Sequence, residues 1–180
     1  LPSGIVLSLR CRSGLEGIVA EEARERLSHA LSVRSEEPGR VEVVLLSPLR
    51  LADFLGLRCW SELGIQVGEV RARTPAAAVQ PLANRLAAGT AATVLRGLTR
   101  GTPRYRIDAP EGLASPDWHR AVAEAAHALA PDILNDARES PWSADLIPVT
   151  GGVRVELRPR LSPDPRFAYR VGDVPAASHP

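Results

Sequence analysis

Apolar residues recur along this chain at two periods, and the switches between them lay out its elements. GIVLSLRC, Gly4 to Cys11, alternates and is β-branched, which predicts a strand. Ser13 stands three residues before Glu16, the spacing of a capping box, so a helix is expected directly after that strand. Its predicted apolar stripe is Leu15, Ile18, Val19, Ala23, Leu27 and Ala30, with Glu21, Glu22, Arg24, Glu25 and Arg26 on the other face. RVEVVLLS, Arg40 to Ser47, predicts a second strand. A helix should follow, with Ser47 as cap, Pro48 in its first turn and Gly56 at its stop. One or two further strands are expected between Leu57 and Ala72. Strand, helix, strand, helix, strand is compatible with a small ferredoxin-like sheet carrying helices on one face.

The pattern restarts at Thr74, which caps a helix opened by Pro75 and interrupted by Pro81; a second helical stretch follows Gly89. PRYRIDAP, Pro103 to Pro110, predicts a strand. SPDWHRAVAEAAHALAP predicts a helix capped by Ser115, with Trp118, Val122, Ala125, Ala126 and Leu129 as its stripe. ADLIPVTGGVRVELRPR predicts two strands around a Gly151-Gly152 turn, with Arg154, Glu156, Arg158 and Arg160 alternating on one face. The fold class is α+β in two modules: residues 1–73, a ferredoxin-like subdomain, and residues 74–161, a second α/β module. Residues 162–180 read as an extended linker.

Composition narrows the function little. A hydrophobic fraction of 44%, a charged fraction of 24% and a net charge of +1 are ordinary for a folded domain. No apolar run is long enough to predict a membrane span, so no membrane partner is expected. Cys11 and Cys59 lack metal-ligand spacing and read as buried, reduced thiols, which makes cytoplasm the expected compartment. All 22 basic residues are arginine, and two stretches concentrate them. Arg96, Arg100, Arg104 and Arg106 precede the acid at Asp108. Arg154, Arg158, Arg160, Arg166 and Arg170 are offset only by Glu156 and Asp164. Guanidinium groups bind phosphates, and Tyr105, Phe167 and Tyr169 beside them are candidates to stack on unpaired bases. Trp60, Trp118 and Trp142 are expected to pack inside. No catalytic set and no metal set is visible: His119 and His127 lie two helical turns apart, and no phosphate-cradling glycine loop follows a strand. The chain by itself is expected to perform no chemistry and to hold no cofactor.

RPRLSPDPRFAYRVGDVPAASHP, Arg158 to Pro180, resembles the junction after the THUMP domain in RNA methyltransferases of the guanosine-N2 type, where a basic-aromatic stretch and a proline-rich run lead into a Rossmann-fold catalytic domain. SGLEGIVAEEARERL, Ser13 to Leu27, is similar to the first helix of their N-terminal ferredoxin-like subdomain. The family often shows a lysine-arginine-glycine-tyrosine-arginine run where this chain has Asp164 to Arg170, one basic residue fewer and an acid more. The resemblance implies that residues 74–161 are a THUMP module and that the chain is the N-terminal portion of a protein that methylates an RNA guanosine with S-adenosylmethionine. The RNA would be a tRNA gripped near its acceptor end, and the catalytic domain would lie beyond Pro180. Arg104, Tyr105, Arg106, Arg154, Arg158, Arg160, Arg166, Phe167, Tyr169 and Arg170 are then the expected RNA contacts. A regulatory ferredoxin-like module for a small ligand or partner protein is the alternative. A THUMP module serving thiolation or deamination is another.

Overall fold

The computed structural model of the chain describes residues 1–110 and 115–160. The elements run β1 (Val6–Arg10), α1 (Glu16–Leu27), β2 (Leu31–Glu37), β3 (Arg40–Leu45), a 3-10 helix (Leu51–Gly56), β4 (Glu62–Val70), α2 (Pro75–Ala87), α3 (Gly89–Leu98), β5 (Arg104–Asp108), α4 (Pro116–Leu129), β6 (Leu134–Asn135), β7 (Trp142–Val149) and β8 (Gly152–Pro159). All strands join one sheet in the order β2-β3-β1-β4-β8-β7-β5-β6. Pairing is antiparallel except where β5 meets β6 and β7. The two predicted modules therefore share a sheet, because β4 from the first pairs with β8 from the second.

Register explains which face is dry. Leu7, Val43, Ile65, Leu157 and Ala144 stand on one line across five strands, each fully buried. The neighbouring line is Glu42, Ser8 and Gly64, all pointing the other way, because side chains alternate along a strand. Val19 and Ala23 of α1, Leu82 and Leu86 of α2, Leu95 of α3 and Val122 of α4 pack on the first face in a single core. The sheet thus has helices over one face and a polar opposite face.

Two predicted caps are present. Thr74 Oγ1 accepts from the Ala77 N–H at 3.2 Å, and Ser115 Oγ from the Trp118 N–H at 3.2 Å. Pro81 sits inside α2 without ending it. The predicted strand pair turns at Gly151, whose φ of 78° needs a glycine. Trp60, Trp118 and Trp142 are buried as expected, and each indole N–H donates to an oxygen: Phe54 O, Pro75 O and Thr99 Oγ1.

Other expectations are corrected. Ser13 caps nothing. Helix α1 begins at Glu16, whose carboxylate accepts from the N–H groups of Gly14 and Gly39, tying the helix start to the β2–β3 turn. The Gly39 N–H is the main reason the Glu16 carboxyl lies below its ordinary pKa. Leu15 and Ile18, predicted to be buried, are exposed, and so is Leu129 of α4; the apolar stripe of α1 runs instead through Val19, Ala20, Ala23 and Leu27. The helix expected after Ser47 is a 3-10 turn starting at Leu51, where Asp53 bonds the backbone and side chain of Arg50. Strand β2 was not predicted, its polar residues breaking the alternation.

Candidate nucleic-acid interface

The polar face of the sheet gathers most of the arginines singled out by sequence. Arg106 stands opposite Ser143, and Ser143 opposite Arg158, so β5, β7 and β8 present these side chains in one row. Arg154 lies four residues before Arg158 on β8 and Arg104 two before Arg106 on β5, on the same face. Arg160 lies just past β8; its N–H donates to Pro141 O and its guanidinium to Ser140 O. Residues 161–180 are outside the described residues, and with them Arg166, Phe167, Tyr169 and Arg170.

Tyr105 corrects its expectation. It is 1% exposed and opposite Trp142, on the helix-covered face, because its strand neighbours Arg104 and Arg106 take the polar one. Burial pushes its phenol up to about 12. A ring held there packs the core and presents no face to a base.

The arginines of the polar face are brought together, and each is already partnered. Arg154 meets Glu42 at 2.8 Å and Glu69 at 3.4 Å. Arg158 meets Asp145 at 2.8 Å, Glu62 at 3.3 Å and Asp108 at 3.6 Å, while Arg106 meets Asp108 at 2.8 Å. Arg104 reaches Asp136 at 3.2 Å and Glu139 at 3.5 Å. Arg10, which the sequence reading passed over, sits at the centre, 3.0 Å from Glu62 and Asp145 and 3.1 Å from Glu156. Burial works against its charge, but Glu156, Asp145 and Glu62 outweigh that and hold its pKa above the ordinary value. For Arg158 the bond to Asp145 is the main cause of a rise in the same direction. Glu156 is fully buried; Ser8 Oγ donates to it at 2.7 Å, and Gln66 joins Ser8 to Glu42. Carboxylates outnumber guanidiniums in this lattice, so its field toward an incoming anion is weak. Phosphate binding here requires displacing a carboxylate.

Arginines without an ion-pair partner lie elsewhere. Arg71 and Arg73 follow β4 at its C-terminal end, exposed and without an ion-pair partner among the described residues. Arg85 of α2 is likewise exposed, with its guanidinium carbon 3.1 Å from where a Cβ on Gly68 would stand. The signal for them was in the sequence: no acidic residue occurs between Glu69 and Asp108. The arginines noted first in that stretch were the later ones, Arg96 to Arg106.

Cys11 and Cys59 are free and half-buried, not buried as expected. Burial raises both thiol pKa values, so neither is activated as a nucleophile. Among the described residues no helix is long and apolar enough to cross a membrane, and no cluster of His, Cys, Asp and Glu is arranged for a metal.

No protein-family model and no curated protein matches the chain. Solved structures do. The chain is similar to TrmN from Thermus thermophilus, with 19% identity and a TM-score of 0.58 over 86% of this chain and 45% of that one. It is similar to SMU.472, a candidate methyltransferase complexed with SAH, with 17% identity and a TM-score of 0.57 over 88% of this chain and 42% of that one. It is also similar to a 4-thiouridine synthetase solved with RNA and bound ATP, with 11% identity and a TM-score of 0.54 over 87% and 42%. The chain spans less than half the length of each of these three. At such identities the likeness is one of architecture, and the eight-stranded mixed sheet with its helical layer is an α+β, THUMP-like fold.

Proposed function

We propose that this chain is the RNA-recruiting portion of an RNA-modifying enzyme. The observation that carries the reading is the fold, shared over most of the chain with TrmN and with a synthetase that was solved holding RNA. In this reading residues 1–73 are a ferredoxin-like subdomain, residues 74–161 a THUMP module and residues 162–180 a linker to a Rossmann-fold catalytic domain beyond Pro180. The strand order β2-β3-β1-β4 supports the first assignment, with the 3-10 helix in place of a second α-helix.

The parent activity we infer is transfer of a methyl group from S-adenosylmethionine to N2 of a guanosine in tRNA, with the acceptor end as the gripped region and the cytoplasm as the compartment. The likeness to a protein complexed with SAH, the demethylated form of that cofactor, supports the chemistry. The Arg158-to-Pro180 resemblance supports the guanosine-N2 class. The likeness to a 4-thiouridine synthetase favours a second reading, thiolation, for the same recruiting role. Arg104, Arg106, Arg154, Arg158 and Arg160, together with Arg166, Phe167, Tyr169 and Arg170, form the RNA flank in the first reading. Since the sheet-face arginines carry carboxylates, the flank adds weak, salt-sensitive attraction.

Titrating the chain with tRNA at two salt concentrations tests this reading. We expect micromolar binding at low salt that falls steeply as salt rises, because each phosphate contact releases counterions. No binding at low salt, or binding indifferent to salt, rejects it.

A further inference from the structure

We propose that the groove between the end of β4, the start of α2 and the β7–β8 hairpin takes one unpaired nucleotide of the RNA, with Arg71 and Arg73 on its phosphates. This rests on the RNA-recruiting reading and gives it a location.

The charge argument starts from which arginines are free to bind. Those on the sheet's polar face face carboxylates at ion-pair distance. Arg71 and Arg73 are exposed and have no such partner among the described residues. The nearest preceding acid in the chain, Glu69, lies with Arg154 on the polar face. The N-terminus of α2, opened by Pro75 and capped by Thr74, adds positive potential at the same corner. This end of the molecule attracts a polyanion without first breaking an ion pair.

The shape argument is independent of charge. The groove holds about 460 Å³, within the range of small-ligand sites, and Arg73 and Thr74 stand on its wall. Its floor is apolar: Val70, Ala78, Leu82, Leu146 and Val153, closed on one side by Trp118. The indole is fixed, since its N–H donates to Pro75 O at 2.7 Å. The hairpin wall is pressed against β4: a Cβ on Gly152 would lie 2.2 Å from Val70 O and 3.1 Å from Arg71 Cα. Glycine there lets the two backbones close the slot. A flat apolar heterocycle fits such a floor, and phosphates on either side of it reach the two guanidiniums. A duplex exposes no unstacked base to fill it.

The test uses the chain with a labelled single-stranded RNA oligonucleotide and with whole tRNA, over a range of salt. In Arg71→Gln/Arg73→Gln, affinity should fall about tenfold or more at low salt, and the slope of log affinity against log salt should shrink by about two. Arg71→Lys/Arg73→Lys should restore the slope. Arg34→Gln/Arg100→Gln, which removes two other exposed arginines without ion pairs among the described residues, should change affinity by about twofold at most. Ala72→Leu, which narrows the groove and leaves charge unchanged, should weaken the single strand more than a duplex of equal length. Unchanged slope in Arg71→Gln/Arg73→Gln, or equal loss in Arg34→Gln/Arg100→Gln, overturns the groove assignment and leaves the recruiting reading standing. No binding by the unaltered chain overturns the recruiting reading itself. Thermal melts that match the unaltered chain establish that each variant is folded.

Discussion

Ser8 donates a hydrogen bond to Glu156 at 2.7 Å, joining positions 148 residues apart. Both are fully buried, yet both stand on the sheet face that carries no helix. Arg10 holds the second Glu156 oxygen at 3.1 Å, and Gln66 donates to Ser8 at 3.2 Å. The seam between β1, β4 and β8 therefore rests on a charged group whose every bond matters, because a buried carboxylate has no water to fall back on.

Ser8→Ala removes one donor from that carboxylate and leaves Arg10 as its other partner. The expected loss is about 1–3 kcal/mol, read from urea unfolding as a lower midpoint at constant m-value. A loss below about 0.3 kcal/mol contradicts the buried network.

Gly64 tests the same seam by sterics. A Cβ at this position would stand 2.2 Å from the Glu156 carboxylate oxygen, far inside the non-bonded contact distance of carbon and oxygen. Gly64→Ala should destabilise by about 1–3 kcal/mol, since the carboxylate cannot retreat without losing Ser8 and Arg10. Gly97, where a Cβ meets nothing, is the control; it lies within α3, so Gly97→Ala should be neutral or stabilising in the same unfolding assay.

Tyr105 predicts alkaline behaviour. Its phenol is held near 12 against an ordinary 10 because burial disfavours the phenolate. A group raised on folding stabilises fully below its unfolded value and loses that contribution as pH climbs through the folded one. Stability should fall between pH 10 and about 12, and Tyr105→Phe should flatten that fall. Phenolate absorbance should show a late tyrosine near 12, and that late rise should vanish in Tyr105→Phe. Two tyrosines titrating together near 10 would refute it.

The cysteines give a chemical check. Burial is the main cause of the raised pKa at both Cys11 and Cys59, with Glu16 and Glu22 adding to it respectively. At neutral pH both should react with a disulfide reagent several-fold more slowly than a free thiol, because thiolate is the reacting species. Reaction at the free-thiol rate would show that their surroundings are more open than the fold places them.

Local rules carried far in this protein. Thr74 and Ser115 marked the starts of α2 and α4 because a cap is satisfied by the next three residues alone. Alternation along Arg154 to Arg158 placed those arginines on one face for the same reason. Ser13 failed because Gly39, from a distant turn, claims the Glu16 carboxylate. Tyr105 failed because a tyrosine between arginines reads the same whether its ring points to solvent or to Trp142. Register against β7 decides that, and register is set by partners far along the chain.

What the amino-acid order determined by itself was most of the elements, the caps of α2 and α4 and the clustering of arginine. Whether a guanidinium is free to grip phosphate was settled only by folding. Ion pairing depends on distances of a few ångströms between residues as far as 146 positions apart, as for Arg10 and Glu156. Arg104, Arg106, Arg154 and Arg158 came to rest against carboxylates, and the less conspicuous Arg73, with Arg71 near it in the chain, was left at an open slot.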